Sequence, residues 1–207
     1  MRLYESTIPS GNCYKVNLLL AHLGETYERT DVDILANPPE TRTAAFLAKN
    51  PNGRVPLLEL DDGTTLAESN AILFYLAEGT PFLGADRLER AQTLQWMFFE
   101  QYSHEPYVAV LKFLTYWGDR AALSAEFLAR LEARGQAALD VMSGHLRTRT
   151  YFVGERYGIA DIALFAYTQA AAAVGFRVDP PVQAWLARVR EQPGFVAIKP
   201  DPYGKAP

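Results

Sequence analysis

Strand signals are confined to the first eighty residues of this chain, and that asymmetry limits the folds open to it. Short alternating runs such as "RLYES" and "VPLLEL" stand there between helix-like runs such as "CYKVNLLLAHLG". From residue 87 onward, long stretches have helical periodicity. The segment between, "GTPFLGADRL", carries Pro81 and two glycines and interrupts both patterns. We predict an α/β domain over residues 1–79, a linker over 80–86 and an all-α domain over 87–207.

The first region has the order strand, helix, strand, helix, two strands, helix. "VPLLEL", the pair Asp62-Gly63 and "TTLAE" predict a β-hairpin, since Asp-Gly favours two-residue turns with positive φ. "ESNAILFYLAEG" then predicts a helix that ends at Gly79. This order implies a small mixed sheet with helices on its faces.

Composition excludes several functional classes. The chain has 207 residues, of which 49% are hydrophobic, so it can bury a sizeable core. Its net charge is −4, which makes a nucleic-acid partner unexpected. No apolar run is long enough to span a membrane, no signal peptide is recognisable, and one cysteine cannot form an internal disulfide, so we expect a cytoplasmic protein. The three histidines lack ligand spacing, and no metal site is expected.

The pair Val55-Pro56 opens a predicted strand with a residue that has no N–H for a sheet ladder. This favours an edge or a special turn, with a cis peptide bond as a reasonable expectation. A cis bond would leave the N–H and C=O of Val55 available to an extended peptide ligand. The alternative is an ordinary proline on an edge strand.

Glu68 and Ser69 lie where a predicted strand passes into a helix. Backbone N–H groups are unpaired at such a junction, and the helix dipole attracts carboxylates. Ser69 can accept from the helix backbone or donate to a ligand carboxylate, while Glu68 can bind an ammonium. The same pair can also be a simple N-cap without function.

The stretch "STIPSGNCYK" places Ser10, Asn12 and Cys13 just before or within the start of the first helix. Turn and capping chemistry alone can explain Ser, Gly and Asn here. Cys13 is a possible nucleophile, but a cysteine one turn into a helix often packs as a small apolar residue. "IPSGN" does not match the G-x-S-x-G elbow, which argues against a serine hydrolase.

In their order and spacing, these three motifs resemble cytosolic glutathione S-transferases, and the resemblance covers the whole chain. It implies a thioredoxin-like N-terminal domain followed by an all-helical one. It also implies a set of glutathione-binding residues: Arg54, Val55, Pro56, Glu68 and Ser69. Arg54 would lie near the glycyl carboxylate. Where a histidine or glutamine often helps to hold that carboxylate, this chain has the short Thr41, so Arg42 or Arg54 would substitute for it.

The resemblance further implies that Ser10 is catalytic, as in theta-like members, with Asn12 as a second donor, as in nu-like bacterial members. A hydroxyl that donates to the glutathione sulfur, together with the positive helix end, would lower the thiol pKa by about 2 units. A mixed disulfide between glutathione and Cys13 is the alternative. Glutathione is then the cosubstrate, and no metal is required.

Aromatic residues recur along the first long helix of the second region. By resemblance, four residues would line an apolar second-substrate pocket facing Ser10: Phe99, Tyr102, Ser103 and Tyr107. A stripe of this kind can also be core. Glu105-Pro106 is predicted to kink this helix. The resemblance implies a homodimer, with this helix and the one after Glu68 at the interface.

A departure from the family occurs in "YGIAD", where relatives usually have Ser or Thr at the position of Gly158. We interpret Asp161 as a buried helix cap that contributes about 1 kcal/mol, and not as a catalytic residue.

The sequence therefore predicts a glutathione transferase of the EC 2.5.1.18 type, which activates the glutathione thiolate for attack on a hydrophobic electrophile. One alternative is a glutathione-dependent disulfide or peroxide reductase of the nu-like type. Another is a non-catalytic binding or scaffolding domain with this fold.

Overall fold

The computed structural model describes residues 1–202, 204 and 205, and the chain forms two compact units. The first unit comprises Met1–Glu78 together with the described residues from Gly194 onward, and the second comprises Gly79–Pro193. Residues 203, 206 and 207 of the predicted helical domain lie outside the described residues. The segment after Pro193 differs from the prediction, which assigned it to the helical domain.

Two side chains explain why the C-terminal segment belongs to the first unit. The Tyr14 hydroxyl donates to the carbonyl of Val196 at 2.7 Å. The Lys199 ammonium donates to the carbonyl of Ser6 and lies 3.2 Å from an Asp31 carboxylate oxygen. Tyrosine and lysine at such positions give no periodic signal, so the sequence did not indicate this return.

The first unit has the predicted order of elements, which confirms the α/β part of the fold class. Its strands are β1 (Arg2–Ser6), β2 (Glu28–Val32), β3 (Leu57–Glu59) and β4 (Thr65–Ala67). Its helices are α1 (Gly11–Leu23), α2 (Ala44–Lys49) and α3 (Ser69–Ala77), and a short 3₁₀ turn covers Glu40–Arg42. Gly24 ends α1 with φ +68°, a conformation that glycine adopts without a steric cost.

The four strands form one mixed sheet in the order β2-β1-β3-β4. β1 is parallel to β2 and antiparallel to β3, and β3 is antiparallel to β4. Because side chains alternate along a strand, neighbouring residues enter two different cores. One core contains Leu3, Val16, Leu20, Leu58 and Ile72, and the other contains Tyr4, Val32, Phe46 and Leu57.

The hairpin between β3 and β4 is confirmed, but its turn differs from the predicted two-residue type. Leu60 N–H donates to Thr64 C=O at 2.8 Å, and Gly63 N–H donates to Leu60 C=O at 2.9 Å. Three residues therefore form the loop, and Gly63 adopts φ +83° while Asp62 does not enter positive φ. This is the three-residue alternative, in which glycine takes the left-handed position after a turn.

The second unit is helical in its described residues, as predicted. Its helices are α4 (Arg87–Phe99), α5 (Glu105–Tyr116), α6 (Ala125–Leu146), α7 (Ile159–Thr168) and α8 (Pro180–Arg190), and a π-helical segment covers Glu100–His104. This irregularity lies directly before Pro106, where the sequence predicted a kink. α7 ends at Thr168, although the helix-like run "IADIALFAYTQAAAAVG" continues to Gly175, and a 3₁₀ turn at Ala172–Val174 follows.

Asp161 lies at the centre of the second unit's core with 1% of its surface exposed. Its carboxylate accepts hydrogen bonds from Gly158 N–H (3.1 Å), Phe152 N–H (3.2 Å) and Trp185 Nε1–H (2.8 Å). Burial raises the pKa of Asp161 to about 7. Asp161 is the helix cap that the sequence indicated, but it also joins the loop before α7 to α8, which a local motif could not reveal.

The structure gives a steric reason for glycine at position 158. A Cβ at this position would lie 2.8 Å from the Phe82 carbonyl oxygen. The same carbonyl accepts from Ile159 N–H at 2.9 Å. The Phe82 carbonyl therefore satisfies the first N–H of α7, and it leaves no room for a side chain at position 158.

Among the described residues, no helix combines the length and the hydropathy that crossing a membrane requires.

Candidate active site

Ser10 is the N-cap of α1, with extended backbone angles (φ −92°, ψ 123°). Its hydroxyl oxygen accepts a long hydrogen bond, 3.4 Å, from Cys13 N–H. The Ser10 side chain is half-buried, and it also hydrogen-bonds to the side chain of Cys13. Ser10 thus presents an O–H donor at the positive end of α1, where an anion is favoured.

Cys13 has the opposite character. Only 1% of its surface is exposed, and burial raises its thiol pKa to about 11. A buried thiol with a raised pKa is a poor nucleophile, because the thiolate is the reactive form. The geometry disfavours the alternative of a mixed disulfide at Cys13.

The Val55-Pro56 peptide bond is cis, as the sequence indicated. Pro56 is buried and Val55 is half-buried, directly before β3. None of the described residues donates a hydrogen bond to the Val55 C=O or accepts one from its N–H. This main-chain pair is therefore available to an extended ligand.

Glu68 adopts φ +68° and ψ 113°, a combination that is strained for a residue with a side chain. The strain turns the chain sharply from β4 into α3. The Glu68 side chain is exposed, and its Oε1 accepts from Asn52 Nδ2 at 3.4 Å. The next residue, Ser69, is only 5% exposed. Backbone strain of this size is concentrated at binding and catalytic sites.

Two of the predicted motifs meet through side chains. The Ser69 hydroxyl donates to Asn12 Oδ1 at 3.1 Å. Lys15, whose side chain is fully buried in α1, donates from Nζ to the Ser69 hydroxyl oxygen at 3.4 Å. The sequence analysis missed Lys15. Its only signal was a lysine placed directly before the apolar run that starts at Val16.

The two basic residues expected near the glycyl carboxylate are both exposed, in contrast to Thr41. Thr41 is 4% exposed and part of the core, whereas Arg42 and Arg54 are exposed. Arg42 Nη1 donates to the Asn52 carbonyl at 3.3 Å, and the Asn52 side chain contacts Glu68. Arg42 therefore has a structural connection to Glu68 that Thr41 lacks.

A crevice of about 350 Å³ runs along α1 within the first unit. Ser10 and Cys13 border it together with Asn17, Arg29 and the segment Val196–Lys199. Its floor holds Glu5, which is 1% exposed, accepts from Asn17 Nδ2 at 2.9 Å and pairs with Arg29 Nε at 2.5 Å. Glu5 is buried and Arg29 is exposed in this ion pair, which the sequence analysis did not predict.

In the second unit, the four predicted pocket residues lie together. A cavity of about 210 Å³ is bordered by Phe99, Tyr102, Ser103, Tyr107, Arg134, Ala137, Ala138 and Val141. Tyr102 is 84% exposed, so it is not a core residue, whereas Trp96 one turn before Phe99 is 9% exposed and is core. Within residues 1–202, 204 and 205, no three His, Cys, Asp or Glu side chains are arranged to hold a metal ion.

Two family models match this chain. Residues 9–78 match "Glutathione S-transferase, N-terminal domain", and residues 104–193 match "Glutathione S-transferase, C-terminal domain".

Two curated proteins illustrate the range of relatives. Maleylacetoacetate isomerase of Pseudomonas aeruginosa is 31% identical over 97% of this chain and 92% of its own length. Elongation factor 1-gamma of Equus caballus is 32% identical over 86% of this chain, but this covers only 43% of the elongation factor.

Solved structures give the same result. A glutathione S-transferase from Pseudomonas fluorescens has a TM-score of 0.90 and 50% identity, over 95% of this chain and 97% of its own. A glutathione transferase from Pseudomonas putida, with one glutathione disulfide bound per subunit, has a TM-score of 0.80 and 29% identity, over 93% and 87% of the two chains. The chain belongs to the glutathione S-transferase family.

Proposed function

We propose that this protein is a glutathione transferase in which Ser10 stabilises the thiolate of bound glutathione for attack on a hydrophobic electrophile. The observation that carries the proposal is that the first unit holds three groups suited to binding glutathione, two of which meet through the 3.1 Å hydrogen bond from Ser69 to Asn12. The first is the Ser10 hydroxyl, a donor at the start of α1. The second is the main-chain N–H and C=O of Val55, to which no described residue hydrogen-bonds. The third is the Glu68-Ser69 junction before α3, where the backbone of Glu68 is strained.

The binding mode follows from the chemistry of these groups. The N–H and C=O of Val55 pair with the cysteinyl part of the tripeptide in the manner of an added strand. Glu68 binds the γ-glutamyl ammonium, and the backbone N–H groups from Ser69 onward at the start of α3 bind the neighbouring carboxylate. Arg42 and Arg54 are the exposed cations that can neutralise the glycyl carboxylate.

Catalysis then consists of electrostatic stabilisation and positioning. The Ser10 O–H and the positive end of α1 favour loss of the thiol proton to solvent. A sulfur–carbon bond forms to the electrophile, and its leaving group departs with the electron pair. The cavity lined by Phe99, Tyr102, Ser103 and Tyr107 is the proposed apolar pocket for the electrophile.

Titration of the bound thiolate by its ultraviolet absorbance tests the role of Ser10. In Ser10→Ala, the pKa of bound glutathione should rise by about 1 to 2 units, while its Kd changes less than about threefold. Ser124→Ala is the matched control, because Ser124 caps α6 with a similar bond to Phe127 N–H, 3.2 Å, in the other unit. An unchanged titration in Ser10→Ala would show that Ser10 is not the thiolate donor.

Two other glutathione reactions are supported by relatives. Similarity to maleylacetoacetate isomerase favours a reaction on a cis-unsaturated acid. The glutathione disulfide bound to the Pseudomonas putida protein favours disulfide reduction. Parallel assays with a haloaromatic electrophile, a maleyl substrate and hydroxyethyl disulfide separate them, and activity on the haloaromatic compound alone would eliminate both alternatives.

A non-catalytic role is the third candidate, because elongation factor 1-gamma contains a region similar to this chain. Retention on immobilised glutathione and a thermal shift with free glutathione decide the matter. If both are absent, the scaffold role is favoured and the transferase proposal is wrong.

We also infer a homodimer in the cytoplasm, with α3 and α4 at the interface. Tyr75 on α3 and Phe98 on α4 are exposed apolar side chains that an interface would cover, 51% and 67% exposed. Light scattering at micromolar concentration should give twice the chain mass, and a monomer would contradict the inference.

A further inference from the structure

Lys15 is a fully buried lysine in α1, and the reactions proposed above give it no role. Lysine side chains are almost never fully buried unless a partner compensates the charge. Its ammonium donates to the Ser69 hydroxyl oxygen at 3.4 Å. The Ser69 hydroxyl in turn donates to Asn12 Oδ1 at the start of α1.

The ammonium gives this chain of hydrogen bonds a direction. A lysine Nζ has three donors and no acceptor, so the Ser69 oxygen must be the acceptor in their contact. In a buried site of low dielectric, the positive charge drives the Ser69 hydroxyl hydrogen away from itself. The oxygen 3.1 Å away on the other side is Asn12 Oδ1, which accepts that hydrogen.

The orientation of the Asn12 amide follows from this direction. An asparagine amide has a carbonyl oxygen on one side and an NH₂ group on the other. When Oδ1 is directed to Ser69, the two N–H donors point the opposite way. Asn12 lies two residues after Ser10 at the start of α1, so its donors join the positive end of that helix.

We propose that Lys15 is a positioning residue of the glutathione site, because its buried ammonium fixes the direction of the Ser69–Asn12 hydrogen bond and thereby presents Asn12 as a donor at the start of α1. The effect on the glutathione thiol rests on the proposed function. The effect on Asn12 concerns the ligand-free protein and can be tested without it.

The first experiment measures the Asn12 side-chain amide in the ligand-free protein by ¹H–¹⁵N NMR, after assignment by its loss in Asn12→Ser. In Lys15→Met, the two amide protons should shift and exchange with solvent at least about threefold faster, because the Ser69 hydroxyl that donates to Oδ1 loses its fixed direction. Lys15→Arg, which retains a donor-only cation, should largely restore both properties.

Lys112→Met is the matched control, since Lys112 is a second buried lysine, 8% exposed, in the other unit. Ser69→Ala breaks the same chain at its centre and should reproduce the Lys15→Met spectrum, which keeps the test valid if Lys15→Met does not fold. An Asn12 amide that is identical in wild type and in folded Ser69→Ala or Lys15→Met would overturn the proposal.

The second experiment titrates bound glutathione in the same variants. In Lys15→Met, the thiol pKa should rise by about 1 unit, with an approximately fivefold loss of conjugation rate at pH 6.5, while the Kd of S-methylglutathione changes less than threefold. A lost binding affinity with an unchanged thiol pKa would show a merely structural role and contradict the proposal. If wild type itself fails to bind glutathione, the proposed function is wrong, and the Asn12 amide alone decides the role of Lys15.

Discussion

The start of α1 and the start of α7 each carry a polar side chain that accepts a backbone hydrogen bond, Ser10 as the N-cap of α1 and Asp161 as the third residue of α7, yet their surroundings differ completely. Ser10 is half-buried and engages one backbone N–H through a bond of 3.4 Å. Asp161 is buried and accepts from three donors at 2.8 to 3.2 Å. The first end can still bind another group, whereas the donors directed at the second are already satisfied.

This contrast separates a binding role from a structural one more clearly than residue type does. From the sequence, Ser10 and Asp161 are both ordinary capping residues. The difference lies in how many long-range partners each has, and only the folded chain determines that. Glu68, with its strained backbone and exposed side chain, resembles Ser10 in being suited to a binding role. Gly158, like Asp161, has a structural role.

The largest expected effect comes from Asp161→Ala. Three buried N–H groups would lose their acceptor, including the Trp185 indole, and unfolding free energy should fall by roughly 3–5 kcal/mol. Urea denaturation with an unchanged m-value measures it. A loss of about 1 kcal/mol, the size expected for a simple cap, would show that the additional donors find other partners.

The second effect is a pH dependence. Burial raises the pKa of folded Asp161 to about 7 from an ordinary 3.8, so between these pH values the folded chain holds a proton that the unfolded chain has released. The contribution of Asp161 to stability should therefore be greatest below about pH 4 and fall by a few kcal/mol as pH rises to 7, with little further change above 8. The change of unfolding free energy with pH should be smaller in Asp161→Asn than in wild type. Equal pH dependence in the two proteins would contradict the raised pKa of Asp161.

Gly158→Ala should destabilise the helical unit by about 1–3 kcal/mol, because the new Cβ would lie 2.8 Å from the Phe82 carbonyl. Gly144→Ala is the matched control, since Gly144 lies in α6 with no atom within 4 Å of an added Cβ. That variant should be neutral or stabilising by up to about 1 kcal/mol. Equal melting temperatures for Gly158→Ala and Gly144→Ala would refute the steric explanation.

The smallest expected change in stability, and one of opposite sign, comes from Glu68→Gly. Glycine tolerates φ +68°, so stability should rise by about 0.5–1 kcal/mol, while retention on immobilised glutathione should fall. Glu68→Gln keeps the strain and removes only the charge, so it should lose retention without gaining stability. A destabilised Glu68→Gly would mean that the backbone there is not strained.

The sequence predicted the elements with strong periodicity or clear end signals. The cis bond before Pro56, the helix end at Gly24 and the strand-to-helix junction at Glu68 are all local features. What could not be predicted depends on residues far apart in the chain. Lys15 meets Ser69 across more than fifty residues, and Asp161 meets Trp185 across two helices.

The predictions that were wrong concern the β3–β4 turn and the end of α7. They failed because contacts between distant residues or fine details of backbone geometry decide these features. Asp62-Gly63 fits two turn types equally well by composition, and the strand register decided for the longer loop. The alanine-rich end of α7 has helical periodicity as far as Gly175, but the α-helix stops at Thr168, whose hydroxyl bonds to the Leu164 carbonyl and lies 3.0 Å from His104 Nε2.

The return of the chain to the first unit after Pro193 has a consequence for synthesis. A ribosome releases the sheet and its helices long before it releases Val196 and Lys199, so the loop that carries Ser10 emerges without the contacts that Lys199 makes to Ser6 and Asp31. The first unit is therefore discontinuous in sequence, with the helical unit as an insertion inside it. Completion of the Ser10 loop awaits the translation of nearly the whole chain, and a fragment that stops at Glu78 never acquires these contacts.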